Sequence, residues 1–108
     1  MTPLVIVNPQ AGGGRAGRHW PGLSNRLAEA IGPFDHALTS APLEAARFAA
    51  QAAAERRPLV VSVGGDGTVN EVVDGLLSAP SGLDGRPDLA VVMIGTGADL
   101  ARTLSLPS

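Results

Sequence analysis

The sequence contains no cysteine, no lysine and no tyrosine among its 108 residues. Without cysteine, a disulfide framework and a thiolate metal site are excluded. No apolar run approaches the roughly 20 residues that are needed to cross a bilayer. The first residues, Met1-Thr2-Pro3, carry no basic side chain ahead of a short apolar run, so we expect no signal peptide. The expected compartment is the cytoplasm.

Positive charge is also scarce. Eight basic residues, all arginine, stand against ten acidic ones, which gives a net charge of -2. This balance argues against nucleic acid as a main partner and against electrostatic anchoring to anionic lipid. A homo-oligomer is left open. With 44% apolar residues, the chain is predicted to form one globular domain over residues 1–108 with a modest core.

Short β-branched runs alternate with helical stretches along the chain. Continuous apolar runs such as Leu4–Val7 are typical of strands that are buried on both faces of a parallel sheet. The alternation predicts an α/β fold with three layers, α/β/α, in which a mainly parallel sheet is doubly wound. The predicted strands are Leu4–Val7, Phe34–Thr39, Leu59–Val63 and Leu89–Ile94, the predicted helices are Arg15–Ile31, Pro42–Arg56, Thr68–Leu77 and Asp99–Leu104, and Ser78–Asp88 is predicted to be a surface loop.

Three of the predicted strands lead directly into a small, glycine-rich loop. These loops are Asn8–Arg15, Gly64–Glu71 and Gly95–Asp99. In open α/β sheets, ligands bind outside the carboxyl ends of the strands. We therefore expect the three loops to gather on one edge, where backbone N–H groups could surround a polyphosphate.

The middle loop, Gly64-Gly65-Asp66-Gly67-Thr68, is the sharpest signal. It precedes a predicted helix, whose N-terminus offers free N–H groups to an anion. Asp66 would repel a phosphate, and it fits better as a partner of Mg²⁺ or of water bound to Mg²⁺. Thr68 and Glu71 have a second interpretation, because Thr-x-x-Glu at the start of a helix is also a capping box.

The first loop contains two motifs that fail on closer inspection. Gly12–Gly17 matches the GxGxxG pattern of dinucleotide-binding folds, but Asp35 lies at the start of the second strand and not at its end, where the ribose would be read. The same segment nearly matches a Walker A loop, but His19 lacks the hydroxyl that Mg²⁺ requires there. Arg15 and Arg18 remain as cations able to reach phosphate oxygens, or as solvated residues at the start of a helix.

Three motifs, in this order, resemble the catalytic domain of the diacylglycerol kinases. They are Asn8-Pro9 followed by glycines, GGDGTVNEV at Gly64–Val72, and GTGADLAR at Gly95–Arg102. The superfamily includes sphingosine kinases, ceramide kinases and bacterial lipid kinases, whereas phosphofructokinases and NAD kinases share the GGDG element alone. The resemblance covers nearly the whole chain.

The resemblance implies that ATP and Mg²⁺ are bound and that a phosphoryl group passes to a lipid hydroxyl at the membrane surface. Asp66 would organise the metal and its water, and it is the one residue implied as catalytic. The residues that would line the nucleotide site are Asn8, Arg15, Thr39, Gly64, Gly65, Asp66, Gly67, Thr68, Val69, Asn70, Glu71 and Thr96.

The sequence departs from the family pattern at Ala98, where relatives usually have asparagine. The family also implies a second, β-rich domain that follows this one and contributes the catalytic base and much of the lipid site. We therefore expect no general base within residues 1–108, and the acceptor lipid cannot be read from them. Two other interpretations stay open, an enzyme similar to NAD kinase and a nucleotide-binding module without turnover.

Overall fold

The structure is a computed structural model that describes residues 1–78 and 86–94 in full and the backbone of residues 101–106. Five strands and three helices lie in this part of the chain. In chain order they are β1 (Leu4–Val7), α1 (Arg15–Ile31), β2 (Asp35–Leu38), α2 (Glu44–Ala54), β3 (Leu59–Gly64), α3 (Asp66–Ser78), β4 (Asp88–Ile94) and β5 (Ala101–Leu106).

The strands form one sheet in the order β2-β1-β3-β4-β5. The first four strands are parallel to their neighbours, and β5 pairs antiparallel with β4. The connections through α1, α2 and α3 leave helices on both faces of the sheet, so the predicted three-layer, mainly parallel α/β fold is confirmed. None of the described helices is long and apolar enough to cross a membrane.

The predicted last helix is wrong over the residues that the structure describes. Residues 101–106 form β5, whose register on β4 runs from Ile94↔Ala101 to Leu89↔Leu106. A helix of six residues would be barely stable, because the free-energy cost of nucleation exceeds the gain from so few hydrogen bonds. Pairing with β4 instead satisfies the backbone of an otherwise open edge. The last four of these residues, Thr103-Leu104-Ser105-Leu106, also alternate between polar and apolar with the period of two that is typical of a strand.

Apolar side chains fill both faces of the sheet. In β1, Leu4 and Ile6 belong to the cluster under α2 and α3, whereas Val5 and Val7 belong to the cluster under α1. Alternate residues of β1 thus pack in two different apolar clusters, which explains why the sequence of this strand is an unbroken apolar run.

Helices α2 and α3 approach each other closely through small residues. Ala45, Ala49, Ala52 and Ala53 of α2 are almost fully buried. On α3, Gly75 lies so near that an added Cβ atom would come within 2.9 Å of the Ala49 Cβ and closer still to the Ala46 carbonyl oxygen. The contact is therefore backbone against backbone and leaves no room for a methyl group.

An ionic cluster ties the N-terminal edge of the sheet together. Arg57 Nη1 donates to Asp35 Oδ2 at 2.8 Å and to the Thr2 carbonyl oxygen at 3.0 Å, while Arg57 Nε donates to Glu55 Oε1 at 2.7 Å. These hydrogen bonds hold the pKa values of Asp35 and Glu55 below their ordinary values of 3.8 and 4.5. Asp35 thus forms its contacts at the edge of the sheet opposite the glycine loops. This agrees with the conclusion that Asp35 does not bind a ribose and that Gly12–Gly17 is not a dinucleotide-binding motif.

We expect Arg57→Gln to lower stability at pH 7 and to flatten its dependence on acid. Carboxylates with a depressed pKa stabilise the fold above their unfolded-state pKa values, and this contribution is lost as the pH falls through the folded values. Urea unfolding of both proteins between pH 7 and pH 2, roughly the range in which carboxylates titrate, would measure the effect. Arg56→Gln is the control, because Arg56 is exposed and lies beside the cluster. Parallel pH profiles for wild type and Arg57→Gln would contradict the role of the cluster.

Candidate functional site

The loops that follow β1, β2 and β3 meet at the carboxyl edge of the sheet. They begin at Asn8, Thr39 and Gly65, each of which directly follows the last residue of its strand. The three strands are parallel, so the loops lie at the same edge. The predicted third glycine loop, with Thr96 and Ala98, lies outside the described residues. Two of the expected glycine loops therefore share this edge with the loop after β2.

The loop after β1 presents a run of left-handed glycines. Gly12, Gly13 and Gly14 have φ values of 64°, 67° and 91°, a conformation that only glycine adopts at little cost. Gly14 precedes α1 without a side-chain cap. Arg15 begins the helix, and the Arg18 guanidinium lies beside Gly14. The N–H groups of Gly14 and Arg15 donate to the Gln10 and Gly12 carbonyls, at 3.0 and 3.4 Å. An anion at this turn would therefore be bound by its other N–H groups.

The loop after β3 is shorter than the sequence predicts, because α3 begins at Asp66 and not at Thr68. The Val69 N–H donates to the Gly65 carbonyl at 3.1 Å, which closes the first turn. Thr68 therefore lies inside the helix, and its interpretation as the N-cap of a capping box with Glu71 is wrong.

The Thr68 side chain bridges two loops instead. It is 5% exposed, and its Oγ1 accepts a hydrogen bond of 3.3 Å from Asn8 Nδ2. Asn8 Oδ1 in turn accepts from the Gln10 N–H at 3.1 Å. The same Thr68 side chain covers Gly64, where an added Cβ atom would lie 2.5 Å from Oγ1. Asn8 and Thr68 thus fix the first loop against the start of α3.

Thr68→Val is expected to lower the free energy of unfolding by about 1 kcal/mol, the usual value of one hydrogen bond. Because the partner is Asn8, the effect should be coupled to Asn8→Ala by about 0.5 kcal/mol or more in a double-mutant cycle. Denaturant unfolding monitored by Trp20, the single tryptophan, would measure both quantities. Additive effects would show that Thr68 acts independently of Asn8.

The loop after β2 contributes two hydroxyl side chains, Thr39 and Ser40, to this edge of the sheet. Thr39 is anchored to β1, because its N–H donates to the Val7 carbonyl at 2.8 Å. Ser40 contacts the side chain of Glu44, the first residue of α2, with its N–H at 2.6 Å and its hydroxyl at 3.0 Å. Thr39 is among the nucleotide contacts predicted from the sequence, whereas Ser40 and Glu44 are not. A serine just before the predicted helix Pro42–Arg56, with a glutamate four residues later in its first turn, is nevertheless a usable signal for this contact.

The three loops enclose a cleft of about 660 Å³. Its walls combine backbone from glycines, hydroxyl groups and small apolar side chains, with one carboxylate. The lining residues are Asn8, Pro9, Gln10, Ala11, Gly12, Thr39, Ser40, Ala41, Pro42, Ala45, Gly65, Gly67, Thr68 and Glu71.

Not every residue that sequence analysis assigns to the nucleotide lies in the described lining of the cleft. Asp66 and Asn70 are exposed on α3, and Val69 packs against the core. Gly64 ends β3 beneath Thr68. Arg15 begins α1 and also lies outside this lining. The assignment of all the predicted residues, inside or outside the lining, to a bound nucleotide stays a prediction.

The residues of the cleft and of the start of α3 could bind a polyphosphate and supply some of the ligands of a cation. Gly65 and Gly67 have no atom within 4 Å of an added Cβ, so the start of α3 is open to a ligand. Within the described ranges, no group of three or more Asp, Glu, His or Cys side chains could hold a metal by itself. Mg²⁺, however, commonly uses one or two carboxylates together with substrate phosphates, and Asp66 and Glu71 lie within the first two turns of α3.

The sequence matches the family model of the diacylglycerol kinase catalytic domain over residues 2–108. The chain belongs to this family. The diacylglycerol kinase of Bacillus subtilis (strain 168) is 39% identical over 104 residues, which cover 95% of this chain and 33% of that protein. The diacylglycerol kinase of Staphylococcus epidermidis is 37% identical over 105 residues, with coverage of 96% and 32%.

A solved structure of a diacylglycerol kinase from Bacillus anthracis str. Sterne has the same fold. It superposes with a TM-score of 0.73 at 32% identity and covers 88% of this chain and 33% of that chain. The predicted membership of the diacylglycerol kinase family is confirmed, together with the fold. The chain spans about one third of the length of the relatives that it matches.

Proposed function

We propose that this chain provides the ATP-binding part of a lipid kinase, an enzyme that transfers a phosphoryl group from ATP to the hydroxyl of a lipid. The observation that carries the proposal is the cleft at the carboxyl edge of the sheet, which is lined by the left-handed Gly12 and by Gly65 and Gly67 at the open start of α3, in a chain of this family. A diacylglycerol-like lipid or a long-chain base fits as acceptor class. Family membership favours this function over that of an NAD kinase.

Each wall of the cleft has a part in binding. The first glycine loop and the N–H groups at the start of α3 would hold the phosphates, since a helix N-terminus favours anions. Asn8 keeps these two walls in register through Thr68, and Arg15 and Thr96 are proposed to contact the nucleotide as well. ATP with Mg²⁺, when bound, supplies the phosphoryl group and a metal that shields its charge.

Asp66 is the proposed catalytic and metal-binding residue. It is exposed at the first position of α3, and its neighbours in the chain, Gly65 and Gly67, line the cleft. A carboxylate there can hold Mg²⁺ or its water next to phosphate oxygens. We assign the general base and the lipid site to the part of a longer enzyme that corresponds to the remainder of the relatives. Such an enzyme would act on lipid as a peripheral protein at the membrane surface.

Titration of the ¹⁵N-labelled chain with Mg-ATP tests the proposal directly. We expect weak, saturable binding, because an open cleft leaves much of the nucleotide in water. The amide shifts should concentrate in residues 8–15, 39–45 and 64–71, and we expect them at 96–99 as well. Shifts scattered over the surface, or centred on the edge that carries Arg57, would contradict the site.

A matched pair of glycine substitutions supplies the control. Neither Gly65 nor Gly22 has an atom within 4 Å of an added Cβ, but only Gly65 lines the cleft. Gly65→Val should keep the fold and weaken Mg-ATP binding about tenfold or more by occupying the space of the ligand. Gly22→Val should leave binding unchanged. Equal affinities in the two variants would show that the ligand lies elsewhere.

A further inference from the structure

One oxygen of Glu44 holds Ser40 by two hydrogen bonds. The Ser40 N–H donates to Oε1 at 2.6 Å and the Ser40 hydroxyl donates to the same atom at 3.0 Å. The other oxygen, Oε2, lies 3.5 Å from Nη2 of the exposed Arg47. The hydrogen bond from the Ser40 N–H is also the main cause of the lowered pKa of Glu44. Glu44 is thus an ionised acceptor that is directed at Ser40.

This contact holds the wall of the cleft between Thr39 and α2. Thr39 is already anchored to β1, whereas Leu43, at the other end of the loop, has a φ of 72° and is 71% exposed. A leucine in the left-handed region is unfavourable, and so exposed a side chain offsets little of that cost by packing. Among the described residues, the Ser40–Glu44 contact is the side-chain interaction that spans this loop.

The direction of the hydroxyl hydrogen bond decides what Ser40 can offer to a ligand. A serine hydroxyl has one proton and two lone pairs. Because the proton is donated to Glu44, the remaining capacity of Oγ at the cleft is that of an acceptor. An acceptor beside a carboxylate disfavours phosphate oxygens and suits an N–H or O–H donor.

We propose that Glu44 is a positioning residue that turns Ser40 into an acceptor for the nucleoside end of the nucleotide. This inference rests on the proposed nucleotide-binding function. The phosphates lie toward Gly65 and Gly67 at the start of α3, and the nucleoside lies along Ser40, Ala41 and Pro42. The group that Ser40 accepts from is a hydrogen-bond donor of the nucleoside, either the ribose 2′-hydroxyl or the amino group of adenine.

The test compares variants by their affinity for Mg-ATP and for Mg-tripolyphosphate, which lacks the nucleoside. Glu44→Ala and Ser40→Ala should each weaken Mg-ATP binding about threefold to tenfold, the value of one hydrogen bond, and their effects should not add. Neither should weaken tripolyphosphate binding. If Glu44 acted through its charge alone, Glu44→Ala would instead strengthen the binding of Mg-ATP, since removing a carboxylate should favour an anion. Glu44→Gln, whose amide oxygen can still accept, should retain most of the affinity.

Two further arms sharpen the comparison. Glu29→Ala on α1 removes the same charge from an exposed position and should change no affinity. Mg-dATP lacks the ribose 2′-hydroxyl and Mg-ITP lacks the amino group, so the ligand that binds equally to wild type and Ser40→Ala identifies which donor Ser40 contacts. Unchanged Mg-ATP affinity in Glu44→Ala, or an equal loss for tripolyphosphate, would overturn the proposal.

An independent measurement without nucleotide keeps this inference separate from the proposed function. The Ser40 amide proton should shift with pH as Glu44 titrates, and the shift should vanish in Glu44→Gln. Because Glu71 lies in the same cleft, the titration is repeated in Glu71→Gln, where it should persist. A Ser40 amide that does not titrate would overturn the role of Glu44. A normal titration in a chain that fails to bind Mg-ATP would instead overturn the nucleotide function, and this role with it.

Discussion

Asp66→Asn is expected to lower phosphoryl transfer about a hundredfold or more in the enzyme to which we assign this domain, because preorganised metal and charge stabilisation would be lost. Asp66 is exposed at the start of α3, so the substitution should leave the fold nearly unchanged. The change from carboxylate to amide preserves the shape of the side chain, removes its charge and replaces one acceptor oxygen with an N–H donor. Turnover equal to that of the wild type would refute the metal role.

The chain itself permits a sharper test of the same residue. With Mg²⁺ present, Asp66→Asn should bind ATP more weakly than wild type, because a metal contact is lost. With the metal chelated, the same variant should bind ATP more tightly, because a negative charge near the phosphates is gone. Asp74→Asn, on the exposed part of α3, is the charge control. A variant that shifts both affinities in the same direction would show that Asp66 acts on nucleotide binding without the metal.

Gly75→Ala is expected to lower the free energy of unfolding by about 3 kcal/mol, because overpacking here meets backbone that cannot yield. The added methyl group would overlap the Ala46 carbonyl and press on Ala49. Helices α2 and α3 would have to move apart and expose part of the apolar cluster that they share with the sheet.

Gly22→Ala is the matched comparison for this prediction. Gly22 lies inside α1 and has no atom within 4 Å of an added Cβ, so alanine should stabilise the protein by about 0.5–1 kcal/mol through its helix propensity. Thermal and urea unfolding of both variants would measure the difference. Two glycines that respond alike to alanine would contradict the close approach of α2 and α3.

Elements with strong local signals are predictable from the sequence. The bounds of β1 and α1 agree with the structure, since an unbroken apolar run and a glycine at each end of the helix mark them. The identity of the family was also readable, because its motifs are contiguous. The C-terminal segment was misread because its strand forms only by pairing with β4, a contact that no local propensity encodes.

The contacts that shape the candidate site were less accessible. The sequence offers a cap as one of two interpretations of Thr68, whereas its partner in the structure, Asn8, lies 60 positions away in the chain. The conformation of Leu43 could not be predicted either, since leucine is rarely left-handed. These features depend on how separate loops meet at the edge of the sheet, which local sequence patterns do not reveal.

The walls of the cleft belong to different layers of the molecule. The loop after β1 leads into α1 on one face of the sheet, whereas the loop after β2 and the start of α3 belong to the other face. A ligand in the cleft would join the two layers, and it would be lost when either layer opens. Thermodynamic linkage then makes ligand concentration a determinant of melting temperature, with about 2.7 kcal/mol gained at a hundredfold excess over Kd. Amide exchange should accordingly slow together in α1 and α3, although no ligand atom contacts the distal ends of either helix.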